Sequence, residues 1–287
     1  MEREHNIVLG LSITGVAAAL QIAGKGHPVT LVEIPHEIPI RARPEIWDTA
    51  LSQRDRKGAD FEALALRVLE SRGAKVVRDL ESVKLELSPS PRLILRRFDE
   101  PEPETVAGSR IIYASDGTWN LTVIPKAARE LVSRGVSASA WIDATFYLGK
   151  STAVAGAGDF AFEQLYWAAQ CASELCWINP EERAMISEDL MDRIELPVIP
   201  SLRASEEVRS VRREGSLLEL GLSGGGVMAV HAVFFAGPPV HEHGILDGPM
   251  LESLRRAGAA IVGTAEGAPW TQFGAQWQAG WELGEML

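Results

Sequence analysis

The first residues that could do chemistry form a glycine-rich turn near the start of this 287-residue chain. Glycines at the first and last positions permit a tight turn and a close contact of helix with strand, and the free amides at the helix start bind a pyrophosphate. Ser12 replaces the middle glycine of the usual Gly-x-Gly-x-x-Gly pattern. The predicted turn consists of Gly10, Leu11, Ser12, Ile13, Thr14 and Gly15.

An acidic residue stands where a dinucleotide site needs one. Glu33 closes the apolar strand that follows the first turn, and an acid at that place accepts hydrogen bonds from a ribose. A second glycine turn, with Gly156, Gly158 and Ala161 at the three positions, has Asn179 where the first has Glu33. Both copies place this residue 23 positions after the first glycine. The equal spacing predicts two Rossmann-like units and an α/β fold.

Four stretches resemble the low-molecular-weight thioredoxin reductases, a family of flavoproteins. The first two are GVSASAWIDATFYLGK and VAGAGDFAFEQ, and the others are HAVFFAG and IVGTAEGAPWTQFGAQWQAG. The resemblance covers almost the whole chain and implies FAD on the first unit and NADPH on the second. It implies two three-layer ββα nucleotide-binding domains, the second inserted into the first. We expect a discontinuous FAD domain at residues 1–120 and 231–287, and an inserted domain at 121–230.

The chain departs from this family where the redox disulfide would be. Ser139 and Ile142 stand at the two cysteine positions, so no dithiol relay can form there. In the family this segment lies beside the flavin ring. We therefore predict that Ser139, Trp141 and Ile142 form a substrate pocket, with core packing of Trp141 as the alternative. Cys171 and Cys176 have no redox spacing and are expected to be structural.

Other departures fall on the expected cofactor contacts. Thr264, after Gly263, replaces the family's closing aspartate, whereas Gln272 keeps the glutamine near the flavin ring. Glu181 and Glu182 replace the basic residues that grip the 2′-phosphate of NADPH. Because carboxylates repel a phosphate, NADPH is disfavoured and NADH stays open.

The composition excludes several classes of partner. The net charge is −11 with no basic cluster along the sequence, which argues against nucleic acid. No apolar run reaches the roughly 20 residues that a membrane span needs. We see no signal peptide, and two cysteines suggest a reducing cytoplasm. His241, Glu242 and His243 have no further metal ligands nearby, so no metal site is expected.

These patterns favour an FAD-dependent oxidoreductase without a disulfide relay. It would oxidise a small molecule directly at the flavin, with dioxygen or another acceptor, and by analogy it would serve in natural-product biosynthesis. Two alternatives stay open: a cysteine-free ferredoxin or flavodoxin–NAD(P) reductase-like enzyme, and a degenerate, non-catalytic partner subunit or ligand-binding module. A homodimer is expected by resemblance, with the Trp-rich C-terminal helix as part of the contact.

Overall fold

The computed structural model describes most of the chain and divides it into two compact units. The described residues are 5–35, 37–43, 46–48, 54–87, 90–98, 100–115, 117, 119–238, 254, 256, 259–261 and 273–286. Unit 1 consists of Met1–Thr118 with Pro239–Leu287, and unit 2 is Trp119–Pro238. The residues 121–230 fall within unit 2.

Short strands and a few helices alternate along the chain. The described strands are β1 (Asn6–Leu9), β2 (Val29–Val32), β3 (Ile46–Asp48), β4 (Arg54–Arg56), β5 (Lys75–Val77), β6 (Leu80–Glu86), β7 (Arg92–Arg97), β8 (Glu104–Ala107), β9 (Arg110–Tyr113), β10 (Val136–Ser137), β11 (Ser151–Ala155), β12 (Glu174–Asn179), β13 (Ser201–Ala204), β14 (Val208–Glu214), β15 (Leu217–Leu222), β16 (Val227–Val230), β17 (Ala232–Phe235) and β18 (Ala260–Ile261). The described helices are α1 (Ile13–Gly24), α2 (Gly58–Ser71), α3 (Ala140–Asp143), α4 (Gly158–Ala169), α5 (Glu188–Arg193) and α6 (Phe273–Met286).

Unit 1 has three layers around a parallel sheet of order β18-β9-β1-β2-β5. Successive residues of a strand face opposite sides, so Val8 joins the core beneath the helices while Ile7 and Leu9 join a second core. On the helical side, Phe61 of α2 packs into the core that α1 and the sheet share. On the other side, the antiparallel sheet β6-β7-β8 contributes buried residues such as Leu93.

Unit 2 repeats this plan on a smaller scale. Its parallel sheet has the order β10-β17-β11-β12-β13, and the antiparallel sheet β14-β15-β16 covers one face. Ala153 and Ala155 of β11 face that cover, so Val154 between them faces the side where α4 packs. The predicted fold of two Rossmann-like ββα units is confirmed.

Candidate functional site

The first glycine turn is built so tightly that two of its positions accept only glycine. Gly10 has φ +116°, and a Cβ there would lie 2.5 Å from the Ala114 carbonyl oxygen at the end of β9. A Cβ on Gly15 would lie 2.1 Å from the Gly10 carbonyl oxygen. Both contacts are far inside van der Waals distance, so the turn lies directly against the strand ends, as a dinucleotide turn requires.

Ser12, the departure from the glycine pattern, is turned into the protein. It is fully buried and caps α1, because its Oγ accepts the Gly15 amide at 2.9 Å. The same hydroxyl donates to the Ala114 carbonyl. The side chain therefore stabilises the helix start, by about 1 kcal/mol for a typical cap.

The start of α1 keeps groups that suit a phosphate. The Gly15 amide is capped by Ser12, whereas the amides of Ile13 and Thr14 have no acceptor within the helix, as in any first turn. The Thr14 hydroxyl is fully buried and has no hydrogen-bond partner in the described part of the chain. Such a group costs on the order of 1–3 kcal/mol, which a ligand oxygen would recover. The turn therefore fits a pyrophosphate.

One buried carboxylate works against that fit. Glu37 is 7% exposed, and its Oε2 accepts the Leu11 amide at 3.1 Å. Its carboxylate thereby occupies an amide of the turn that a phosphate oxygen would otherwise use. All residues from Gly10 to Gly15 are buried. Nothing local in the sequence signals this contact, because 26 positions separate its partners.

Glu33, the predicted ribose ligand, is held by an arginine that sequence analysis did not identify. Arg41 Nη2 lies 3.0 Å from Glu33 Oε1, and the other Glu33 oxygen accepts the Asp79 amide at 3.4 Å. Arg41 also binds Glu62, at 2.9 Å from Nη1 to Oε1. Burial alone would lower the pKa of Arg41, but Glu62 and Glu33 together raise it, so this guanidinium stays charged. A carboxylate has about four lone-pair sites, so Glu33 keeps room for a ribose hydroxyl.

The second turn has the backbone conformation of a dinucleotide turn, but the groups around it disfavour a phosphate. Gly156 has φ +150°, and Trp177 Nε1 donates to its carbonyl at 2.8 Å. Asp159, in the first turn of α4, accepts the Ser187 amide at 2.7 Å. This bond ties residue 187 to the end of the helix that would meet a phosphate, and it leaves a carboxylate there.

The residue that matches Glu33 in the second unit has a different task. Asn179 is fully buried, its Oδ1 accepts the Glu181 amide at 3.2 Å, and its Nδ2 donates to the Arg183 carbonyl at 3.2 Å. It organises the loop after β12. Glu181 and Glu182 are exposed on that loop.

The predicted substrate segment lies in unit 2 on a short helix. Ser139 is buried and caps α3, because its Oγ accepts the Ile142 amide at 3.3 Å. The Ala140 amide donates to Gln164 Oε1 at 2.6 Å, which ties α3 to α4. Trp141 is half-buried and Ile142 is 49% exposed. The role of these side chains in a pocket stays a prediction.

Several residues considered in the sequence analysis lie outside the described part of the chain: His241, Glu242, His243, Gly263, Thr264 and Gln272. Among the described residues, no three His, Cys, Asp or Glu side chains come together as a metal site. No described helix is long and apolar enough to cross a membrane. Cys171 and Cys176 are free thiols, and burial raises the pKa of both.

Comparison with known proteins identifies the fold. A search of solved structures matches Lactococcus lactis thioredoxin reductase with a TM-score of 0.73 and 15% identity, over 99% of this chain and 97% of that chain. The chain has a thioredoxin reductase-like fold. T. acidophilum thioredoxin reductase matches with a TM-score of 0.70 and 13% identity, over the same shares.

The sequence comparisons are weaker than the structural ones. No family model matches the chain. A bifunctional thioredoxin reductase/thioredoxin of Mycobacterium leprae is 27% identical over 150 residues, which are 52% of this chain and 28% of that protein. The chain therefore spans well under two thirds of that relative. The resemblance predicted from sequence is confirmed for the fold.

Within the thioredoxin reductase-like fold, the sequence located both turns but not their closest polar neighbours. Gly10, Ser12 and Gly15 lie together at the end of β1, as predicted. Glu37 and Arg41 were missed, since each meets its partner only through the folded loop after β2. Both residues lie within nine positions of Glu33 in the sequence, and this proximity was the one signal in the sequence that they belong near the same site.

Proposed function

We propose that the protein is an FAD-dependent oxidoreductase without a disulfide relay. The Thr14 hydroxyl is the observation that carries this proposal, since it is a buried donor without a partner in the described chain, at a turn shaped for a pyrophosphate. The amides of Ile13 and Thr14 would hold the pyrophosphate, and Glu33 would accept from the adenosine ribose. A flavin supplies two-electron chemistry when it is bound.

The absence of a thiol pair at positions 139 and 142 favours direct oxidation of a small molecule. Cys176 is in the core of unit 2, and neither remaining thiol has a lowered pKa, so neither replaces the missing relay. The substrate would give up a hydride and a proton, and dioxygen or another acceptor would take the two electrons. Trp141 and Ile142 would form an apolar wall for this substrate. A role in natural-product biosynthesis is proposed by analogy alone.

Pyridine nucleotides are not the proposed electron source. Asp159 places a carboxylate at the start of α4, Asn179 is occupied by its own loop, and Glu181 and Glu182 add two exposed negative charges. These groups oppose the phosphates of NADPH, and Asp159 also opposes the pyrophosphate of NADH. The same observations disfavour a ferredoxin or flavodoxin–NAD(P) reductase-like enzyme.

A non-catalytic role is the second candidate, and Glu37 favours it. A buried carboxylate on the Leu11 amide and a fully buried turn would suit a chain that keeps the fold as a partner subunit or ligand-binding module. The two candidates differ in whether FAD binds.

The deciding experiment is a flavin titration of the purified chain with a matched pair of variants. We expect FAD, and not FMN, to bind with 1:1 stoichiometry and to resist bleaching by NADPH without oxygen. Thr14→Val should weaken FAD binding by about tenfold, because one hydrogen bond to a charged group contributes a free energy that corresponds to about a tenfold change in Kd. Thr152→Val is the control, because Thr152 Oγ1 is also buried without a partner in the described chain but belongs to unit 2. A chain that takes up no FAD supports the non-catalytic role, and rapid bleaching by NADPH contradicts the proposed scheme.

Assembly and location are proposed on separate grounds. We propose a homodimer in the cytoplasm, with no nucleic acid or membrane partner. Trp277 is half-buried and packs edge-on against Phe61 at 6.1 Å, so part of its ring is covered within unit 1. Trp281 stacks on Trp277 and is 37% exposed, and we propose that it meets a second copy.

A further inference from the structure

Unit 2 contains a basic pocket at the end of its parallel sheet where the strands begin. The Gly156 turn lies at the other end of the same sheet. This cavity has a volume of about 420 Å³ and is called the basic pocket below. It is lined by Ser133, Arg134, Phe146, Tyr147, Lys150, Arg213, Ser216 and His231. Lys150 and His231 immediately precede the parallel strands β11 and β17, whereas the Gly156 turn follows β11. The basic pocket is therefore separate from the carboxyl ends of the strands, where a parallel sheet binds a dinucleotide.

The lining of this pocket carries positive charge. Three of its lining residues are fixed cations and none is an acid, in a chain whose net charge is −11. In the described part of the chain, no carboxylate lies within salt-bridge distance of Arg134, Lys150 or Arg213. The neighbouring Arg212, in contrast, pairs with Glu219 at 2.8 Å and Glu214 at 3.0 Å.

The two arginines are held in place by neutral groups. Arg213 Nη1 donates to the Arg134 carbonyl at 2.8 Å, and its Nε donates to the Gly215 carbonyl at 3.1 Å. Arg134 donates to the Glu130 carbonyl. Carbonyls orient a guanidinium without neutralising it, so both charges remain for a ligand. Because the two arginines are already held in place, less side-chain entropy is lost when a ligand binds. Burial, and after it the charge of Asp143, raises the pKa of Tyr147, so an acid also lies near this wall of the pocket.

The pocket also presents aromatic and hydroxyl groups. Phe146 is 79% exposed, so its phenyl ring is open to a ligand in the pocket. Tyr147 stands edge-on to the buried Phe234 at 6.4 Å, so the wall behind Phe146 is anchored in the core. Ser133 and Ser216 add two hydroxyl donors, and His231 is bonded through Nδ1 to Ser151 Oγ at 2.9 Å. Cations and hydroxyls suit a phosphate, and an exposed ring suits a planar group.

We propose that the basic pocket binds a small phosphate monoester that carries a planar ring. The phosphate would contact Arg134, Lys150 and Arg213, and the ring would cover Phe146. Every residue that lines the basic pocket belongs to unit 2, and the pocket uses neither the Gly156 turn nor Trp141 and Ile142.

Calorimetry with the full chain at pH 8, where a phosphate monoester is a dianion, tests this proposal. Phenyl phosphate should bind more tightly than inorganic phosphate, and phenol should not bind. Lys150→Gln and Arg213→Ala should each weaken phenyl phosphate about tenfold, because charge-assisted hydrogen bonds are about twice as strong as neutral ones. Arg212→Ala, which removes the same charge one position away, is the control and should change affinity less than about twofold, since exposed paired charges contribute little. Lys150→Gln is informative even if Arg213→Ala disturbs the fold.

Phe146→Ala distinguishes the contribution of the ligand's ring from that of its phosphate. It should weaken phenyl phosphate and leave inorganic phosphate unchanged. Equal binding of phenyl and inorganic phosphate would refute the planar ring, and equal losses in Arg212→Ala and Arg213→Ala would refute the pocket in favour of non-specific attraction. The proposal is also overturned if neither phosphate binds at millimolar concentration, or if only an acidic protein segment competes for these residues.

Discussion

Helices α1 and α6 pack so closely at Gly280 that a single methyl group should separate them. A Cβ at position 280 would lie 2.1 Å from the Thr14 carbonyl oxygen and 3.0 Å from Ala17 Cβ. The obstructing atom is backbone and cannot rotate away. We therefore expect Gly280→Ala to displace α6 from the first turn of α1, which is also the proposed cofactor turn.

The size of the effect follows from two opposing contributions. Overpacking of this kind costs about 1–3 kcal/mol, and a clash with backbone belongs at the upper end. Alanine in place of glycine inside a helix returns about 1 kcal/mol. The net loss of unfolding free energy is about 2 kcal/mol, which lowers the Tm of a chain of this size by roughly 4–8 °C.

Thermal unfolding followed by circular dichroism measures this loss, with Gly226→Ala as the matched control. Gly226 is exposed in a turn of unit 2, and its nearest contact for a new Cβ would be Leu222 Cδ1 at 4.0 Å. The control should leave the Tm within about 2 °C, in the range of ordinary surface substitutions. A Gly280→Ala variant as stable as the wild type would show that helix propensity outweighs the clash and that α1 and α6 are not in this close contact. FAD affinity should fall together with the Tm, because the displaced α6 no longer supports the first turn of α1, which carries Thr14.

Three further predictions concern the site and the assembly. Glu37→Gln should keep the bond from the Leu11 amide and remove the charge, so FAD should bind about threefold to tenfold more tightly in a fluorescence titration; weaker binding would mean that the carboxylate supports the cofactor. Trp141→Ala should lower kcat/KM about tenfold for any substrate that reduces the flavin, with the flavin content per chain unchanged; an unaltered kcat/KM would favour core packing of Trp141. Light scattering should give the mass of a dimer at micromolar concentration, and Trp281→Lys should shift it to a monomer, since a charge in an apolar contact is costly; a monomeric wild type excludes the homodimer.

The sequence alone determined the repeated βαβ plan. Glycines at the turn positions and short apolar strands are local features, and their equal spacing in two places is enough to predict two units. The positions of Gly10, Gly15 and Gly156 were predictable because only glycine tolerates their backbone angles and close contacts. Likewise, the sequence shows directly that positions 139 and 142 hold Ser and Ile and no cysteine.

Only the tertiary structure decided what surrounds these turns. The charge of Glu37 reaches the Leu11 amide because the loop after β2 folds back over the strand ends, and no periodicity or motif encodes that path. The sequence showed no basic cluster, yet the fold brings Lys150 and Arg213 to one pocket across 63 positions, because β14 packs against the segment Lys126–Leu131 and β15 against β17. Local patterns fix elements through backbone sterics and burial, whereas the side chains that meet at a site depend on loops whose course is set by packing of the whole unit.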